Sequence, residues 1–583
     1  MKNALIAMFI SFVAGVSIYL FMPTFAYGFY GLPFLLGFTG FVLFMFSSLR
    51  GKISDISRVD KKIYLTMIVI GFLFTIIIPI FSSWAAFHAN SYRNLIGEVK
   101  SSNFTNDITP VGLTNIRVVD EALAAKLADK KLGEVPALGS MYELGKFNIQ
   151  KVGNELCWVA PLEYRSIFKW FSSNNGTPGY LVVSATNERD VRLVQEVNGK
   201  KISLKYLKSA YFSEDLNRYI YTHGYMTKGF TDFSFEIDDN MNPYYVVTLY
   251  EKAVGYEGEN AIGVIVLDPQ NGKMKEYSIA DAPKWIDRIQ PEDFVTNQLD
   301  DWGEYINGWF NSITSQEGVL NVTPGMSLVY GDDGHSYWYT GISSAGKDNS
   351  TVGFVLVNTR TKEAHIYKQS GATETKAKAS AEGMVQNMGY KATFPILYNI
   401  GGIPTYVMTL KDNEGLVKMI AMVSVENYSI VGVGKNLKTS LRNYKSALKS
   451  KGNVVALEND VDLKTLTSII SRLSVDVKDG NSYYYFQLKS EPNKMFVSTS
   501  SIADTIILTK EGDTVQIKFE EDTSNGVYDL VGFRNLNINL QKTEKQIKLE
   551  EKVRDLEVRK KDDNLDKKWE NLSASEKAAL LKK

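Results

Sequence analysis

The side chains able to carry covalent or proton chemistry are few and scattered. The 583 residues hold four histidines, His88, His223, His335 and His365, and one cysteine, Cys157. A nucleophilic mechanism needs a histidine within reach of Ser or Cys, and no Gly-x-Ser-x-Gly elbow surrounds any serine. Cys157 stands beside Trp158 in an alternating stretch, where a lone cysteine reads as a small core residue. Metal signatures are absent: there is no HExxH, no CxxC and no histidine pair four apart. Asp238-Asp-Asn-Met-Asn242 spaces oxygen ligands as calcium loops do, but lacks a closing glutamate and flanking helices. With Pro243 behind it, the segment reads as a turn. No phosphate loop occurs, and Gly331-Asp-Asp-Gly334 is hairpin chemistry. Carboxylate pairs remain, Glu236 with Asp238 and Asp300 with Asp301, but 65 acidic residues offer such pairs by chance. The residues thus point to no catalytic set, no metal and no cofactor.

The elements that must position any site begin with an apolar block. Between Lys2 and Arg50 lie 47 residues without a charge or a histidine, and Ile63–Phe87 adds 25 residues without Asp, Glu, Lys or Arg. A bilayer core takes about 20 apolar residues per helix, so three spans fit: Ala4–Met22, Pro33–Leu49 and Ile63–Phe81. Pro23 stops the first, and Pro79 bends the third near its exit. Trp84 and Phe87 fall where an interfacial aromatic belt belongs. The connection Arg50–Lys62 carries five basic and two acidic residues. By the positive-inside tendency it and the amino terminus face the cytoplasm, which leaves Asn90–Lys583 outside. The competing reading is a cleaved signal peptide, for which the apolar stretch is long and the basic region thin. The chain is therefore expected to be an integral protein of a plasma or inner membrane, touching lipid through its N-terminal helices.

Sixty-five basic residues balance the 65 acidic ones, so no net field attracts nucleic acid. One cysteine excludes an intrachain disulfide. Thirty-two Tyr and 30 Phe supply the large side chains that hydrophobic cores need instead.

After the anchor the same order of elements returns four times: helix, hairpin, hairpin. Helices are expected at Val118–Lys131, Ser213–Tyr221, Asn297–Phe310 and Glu374–Met388, with a basic amphipathic helix at Leu437–Lys451. Ser91–Lys100 is read as a continuation of the third helix and Ser101–Pro110 as a polar linker. First hairpin turns fall near 154, 241, 333 and 402, second ones near 188, 271, 360 and 427. Val461–Asn535 carries five short strands, a count that resembles an OB-like barrel. The expected fold class is α+β multidomain: transmembrane helices, tandem modules of a helix on an antiparallel sheet, a small β-barrel and a C-terminal helix. The domains are residues 1–90 (three-helix anchor), 91–200, 201–290, 291–370 and 371–452 (four α+β modules), 453–540 (barrel) and 541–583 (charged helical tail). The tail bears the stripes Leu549/Val553/Leu556 and Leu565/Trp569/Leu572, which suit an oligomer contact or packing back on the barrel.

Phe235-Glu-Ile-Asp238, Tyr244-Tyr-Val-Val-Thr248 and Gly263-Val-Ile-Val-Leu-Asp-Pro-Gln-Asn-Gly-Lys273 together resemble a PepSY-type (propeptide-like) module. The resemblance covers the second round, Ser213–Ile279. It implies an extracytoplasmic interaction or inhibitory module rather than an enzyme. The other rounds lack the Asp-Pro-x-x-Gly turn.

The expected function is accordingly non-catalytic: binding or scaffolding of a protein, peptide or envelope polymer at the outer membrane surface, by strand addition or aromatic faces. Tyr244, Tyr245, Trp338, Tyr339 and the run Tyr483, Tyr484, Tyr485 and Phe486 are the candidate surface residues. The rival readings are a carboxylate-based envelope hydrolase and an accessory subunit of a membrane secretion or transport complex.

Overall fold

The computed structural model describes residues 2–49, 58–102, 116–153, 155–173, 175–331, 334–345, 350–368, 371–400, 402–450, 463–478, 481–499, 502–520 and 526–538. The charged tail lies outside these. The architecture is α+β and multidomain. It divides into two compact units, one of Met1–Tyr398, Pro404–Ile420 and Ser424–Tyr428, the other of Asn399–Ile403, Ala421–Val423 and Ser429–Lys583.

The first unit opens with helices Lys2–Phe21 and Gly31–Leu49, then Arg58–Phe72, which runs on through a π turn at Leu73–Ile77 into Ile78–Ser83. The π turn precedes Pro79, whose ring would clash with the carbonyl four residues back in a regular helix. Of the three expected spans, one helix among the described residues, Lys61–Ser83, is long and apolar enough to cross a membrane. The other two supply shorter apolar helices, Ser11–Phe21 and Gly31–Phe46. The second and third helices meet through glycine: a Cβ on Gly71 would lie 2.5 Å from the Gly37 Cα. Such close backbone approach is the usual geometry of helix pairs in lipid.

The tight connection after the first helix packs on the sheet of residues 229–278. Phe29 sets its ring 5.6 Å from that of Tyr250 in this sheet. Just before the sheet, the Met226 carbonyl accepts the Phe25 N–H at 2.8 Å and Tyr221 donates its hydroxyl to the Pro23 carbonyl at 2.7 Å. The exit of the third helix reaches the same sheet, because the Ser83 hydroxyl accepts the Tyr256 N–H at 2.8 Å. The end of helix one and the end of helix three therefore lie on one side.

The chain beyond departs from the expected helix continuation and linker. Helix Ala85–Arg93 ends early, and Val99–Ser102 is a strand paired in parallel with Ala364–Tyr367, more than 260 residues away. That sheet continues through Gly353–Asn358 to Ser336–Ser344, which also pairs Leu320–Val322 and Ser327–Tyr330. The first module's sheet sets Tyr142–Leu144 and Asn148–Val152 against Glu155–Tyr164, followed by Tyr180–Ser184 and Val191–Val194. Its helix, Glu121–Gly133, starts where the Asp120 carboxylate accepts the Leu123 N–H at 2.9 Å. The second sheet runs Met274–Ser278, Glu257–Leu267, Pro243–Val254, Gly229–Ile237. A fourth sheet holds Lys391–Ala392, Ile403–Lys411 and Val417–Ser424.

The first three modules are not separate beads. One core runs from Leu123 and Val159 through Phe235, Val247 and Ile265 to Val295, Val355 and Ile366. The second sheet buries its other face too, with Val246 and Val264 against Ile286 and Ile289. A sheet covered on both faces reads as the near-continuous apolar run seen in Tyr244–Leu249.

In the second unit, helix Leu437–Ser450 carries the buried Tyr444. Strands Leu463–Lys478, Asn481–Leu488, Glu491–Thr499, Thr514–Glu520 and Val527–Asn535 close a barrel in the order 1-2-3-5-4, with the third and fifth parallel. The first strand closes it by pairing with both the second and the fourth, across an irregularity at Ile470–Arg472. Phe486, Phe496, Phe519 and Tyr528 fill its interior.

Candidate functional site

The expected aromatic surface is corrected at five positions. Tyr245, Trp338, Tyr339, Tyr484 and Phe486 are buried. Tyr245 packs on Phe235 because its strand is covered on both faces. Tyr339 donates its hydroxyl at 2.9 Å to Glu374, itself buried in the first turn of its helix. Tyr484 and Phe486 point into the barrel, whereas Tyr483 and Tyr485 alternate outward and stay half-buried. Tyr244 is also half-buried, its ring stacked on Trp285 at 5.1 Å. Of the eight, Trp338 lines a cavity.

That cavity, about 620 Å3, lies in the first unit among the first, third and fourth sheets. An adjoining hollow of about 490 Å3 shares Lys146, Arg288, Glu292 and Trp338 with it, so the two form one groove. Its floor is built from anchored indoles. Trp158 donates its Nε1–H to the Val119 carbonyl at 2.8 Å, and Trp338 donates to Gln290 at 2.9 Å. The Arg117 guanidinium stands 5.8 Å from the Trp158 ring centre, and that of Arg288 stands 5.9 Å from Trp338. Both distances fall within the range where a ring's negative face attracts a cation.

The charges divide into neutralised and unneutralised ones. Arg288 pairs with Asp232 at 3.3 Å and donates to the Asn148 side chain at 3.3 Å. Asp120, besides capping its helix, is paired with Lys411. Arg117 and Lys146 have no ion pair among the described residues; Arg117 reaches only the Ser327 hydroxyl, at 3.4 Å. Burial pushes the Glu292 and Asp293 carboxyls upward, against the opposing pull of Arg288 and Lys146 on Glu292. The groove thus sets two cations without an ion pair among the described residues, Arg117 and Lys146, among partly desolvated carboxylates.

Behind it, the acids singled out in the sequence take other roles. Glu236 is fully buried, its Oε2 has no hydrogen-bond partner among the described residues, and desolvation pushes its carboxyl up to about 8. Asp238 instead closes a turn, accepting the N–H groups of Asn240 and Asn242 at 2.9 and 2.8 Å. The two do not form a working pair. Asp300 accepts the Val322 N–H at 2.9 Å, while burial and the charges of Glu304 and Asp300 push Asp301 up to about 7. Both line a separate hollow of about 290 Å3. Cys157 is buried and its thiol is pushed up to about 12 by desolvation, as a core residue should be. Among the described residues no group of acids, histidines or cysteine is placed to hold a metal ion.

One constellation has no signal in the sequence. Ser102 Oγ and His365 Nδ1 lie 2.8 Å apart, and His365 Nε2 lies 3.4 Å from Glu363. Glu363 is shared with Lys100, and the group runs along the parallel strand pair rather than into any of the three cavities above. It reads as a ladder that fastens the added strand. Arg117, Lys146 and Arg288 escaped sequence reasoning too, since each is an isolated basic residue with no local motif.

No protein-family model matches the chain, and no curated protein does. Among solved structures, a BT0996 complex with RGII aligns at 10% identity over 71% of this chain and 95% of its own, with a TM-score of 0.16. A Trypanosoma rangeli sialidase in complex with the inhibitor DANA aligns at 8% identity over 73% of this chain and 58% of its own, also at 0.16. At that TM-score neither likeness bears on fold or function.

Proposed function

We propose that this chain is a membrane-anchored, extracytoplasmic binding protein whose groove receives an extended peptide or envelope-polymer segment without chemically altering it. The carrying observation is the pair of cations without ion pairs, Arg117 and Lys146, beside indoles pinned by their own hydrogen bonds. Arg117 is half-buried, where a charge without an ion pair is costly and an anionic group on a ligand would offset that cost, and the exposed Lys146 would attract the same group. Support for the orientation comes from the first connection and the third helix's exit resting on one sheet. In the same reading the second sheet is PepSY-like, its Asp268–Lys273 turn using Gly272 at φ +74°. The barrel is read as OB-like from its strand order.

A photo-crosslinking residue at Lys146 in the full chain, set against one at Glu188, tests the groove. Adducts to a common envelope component at 146 and none at 188 are expected; equal labelling at both positions refutes the groove reading. A hydrolase is the second reading, favoured by the raised carboxyls of Glu292 and Asp293. It requires loss of wall-polymer cleavage in Glu292→Gln with binding retained.

A further inference from the structure

Two short helices on the soluble part carry apolar side chains that nothing in the first unit covers. Ile167–Ser172 (IFKWFS) exposes Phe168 at 79% and Phe171 at 58%, and Phe212 next to it is 51% exposed. Gly308–Ile313 (GWFNSI) exposes Phe310 at 71% and Ile313 at 56%. Scattered exposed apolar residues are ordinary, but clustered aromatics mark a contact surface.

Each cluster adjoins a different apolar helix at its outer end. In the first, Trp170 lies 4.8 Å from Phe171 and 5.7 Å from Phe212. Arg218 donates to the Phe212 carbonyl and sets its guanidinium 4.1 Å above the ring of Tyr19, in the last turn of helix Lys2–Phe21. In the second, Trp309 meets Trp84 edge to face at 5.8 Å, and Trp84 follows directly on the end of helix Ile78–Ser83. Trp84 also contacts the exposed Phe87 at 5.4 Å. Two patches about 140 residues apart in sequence thus sit at the level where two separate helices leave the apolar layer.

We propose that these patches, Phe168/Phe171/Phe212 and Phe310/Ile313, form a second membrane contact that dips into the headgroup–acyl boundary of the outer leaflet. The occupant of both surfaces is lipid, because each is continuous with a helix end that already faces the bilayer. Aromatic rings are the side chains that settle in that boundary, with their apolar bodies toward the acyl chains. The consequence is a soluble part held in a fixed attitude on the membrane instead of swinging on a tether. The inference rests on the anchor reading proposed above.

The test is depth measurement by spin labels on the full chain reconstituted in phosphatidylcholine vesicles. Labels replace Phe168→Cys and Phe310→Cys, with Ile70→Cys in the third helix and Glu188→Cys as references, all in a Cys157→Ala background. Glu188 is a suitable reference in water. Its turn lies by the Glu155 end of strand Glu155–Tyr164, and the first patch follows the Tyr164 end, roughly 30 Å away at about 3.3 Å per residue. Oxygen should collide with labels at 168 and 310 several-fold more, relative to a water-soluble nickel chelate, than at 188. If 70 reads as lipid-exposed but 168 and 310 match 188, the second contact is refuted and the anchor stands. If 70 also reads as water-exposed, the anchor reading falls and the inference with it.

Discussion

Replacing Glu236 by Gln should make the folded protein less sensitive to alkaline pH. The carboxyl is fully buried on strand Gly229–Ile237 and held at about 8, against an ordinary 4.5, because burial outweighs the nearby Arg288 charge. In the native state it therefore keeps a proton that the unfolded chain releases above about pH 4.5. The sign follows: below 4.5 both states are protonated and the group contributes nothing. Between there and about 8 stability declines as pH rises, and above it the loss is complete. At about 1.4 kcal/mol per tenfold change in proton affinity, the move from 4.5 to about 8 corresponds to roughly 5 kcal/mol. The amide leaves a buried NH2 in place of the unpartnered Oε2, which costs about 1–3 kcal/mol at every pH. The variant should be slightly weaker than the parent near pH 5 and stronger by about 2–4 kcal/mol near pH 9. Denaturant midpoints followed by tryptophan emission, in detergent from pH 5 to 9, read the crossing. Asp287, also pushed up to about 6 and itself raising Glu236, is kept in both proteins. Parallel curves would show that Glu236 ionises freely in the folded state, and the burial argument would be wrong.

Three further outcomes follow from packing. Gln150 donates to the Ile237 carbonyl at 2.8 Å and accepts the Ile237 N–H at 2.9 Å, so Gln150→Leu strands two buried backbone groups. A loss of about 2–4 kcal/mol is expected, with faster hydrogen exchange at Ile237; unchanged exchange would count against this bridge between the first two sheets. Phe486→Ala should destabilise the barrel by about 3–5 kcal/mol, whereas Tyr483→Ala, on the outward side of the same strand, should cost about 1 kcal/mol or less. Equal midpoint shifts in the barrel's unfolding transition would contradict the strand's facing. Gly71→Leu places a side chain where the Gly37 backbone lies, and should lower the thermal midpoint in detergent while Gly15→Leu does not, since a Cβ at Gly15 meets nothing within 4 Å. Similar shifts in both would remove the argument for close helix contact.

Much of the architecture was legible from local pattern. The Ala-rich helix, its neighbours at 216 and 374, the hairpin turns at Gly153, Gly272 and Gly402, and the five barrel strands all occur where periodicity and turn residues put them. Spacings of two and four register which face of an element is apolar, and glycine marks positions where the backbone must take positive φ. The site was not legible. Tyr245 and Tyr339 looked like surface aromatics because a strand's own pattern does not reveal whether a second layer covers its other face.

The sequence alone determined the apolar helices, the order of helices and hairpins, and the absence of the local motifs that metal or nucleophile chemistry uses. Those follow from interactions within a few residues of one another. Only the tertiary structure decided that Val99–Ser102 joins a strand more than 260 residues away, that three modules share one core, and that Arg117, Lys146 and Arg288 meet over Trp158 and Trp338. These depend on which surfaces exclude water from each other once the chain has folded. No spacing along the chain encodes that.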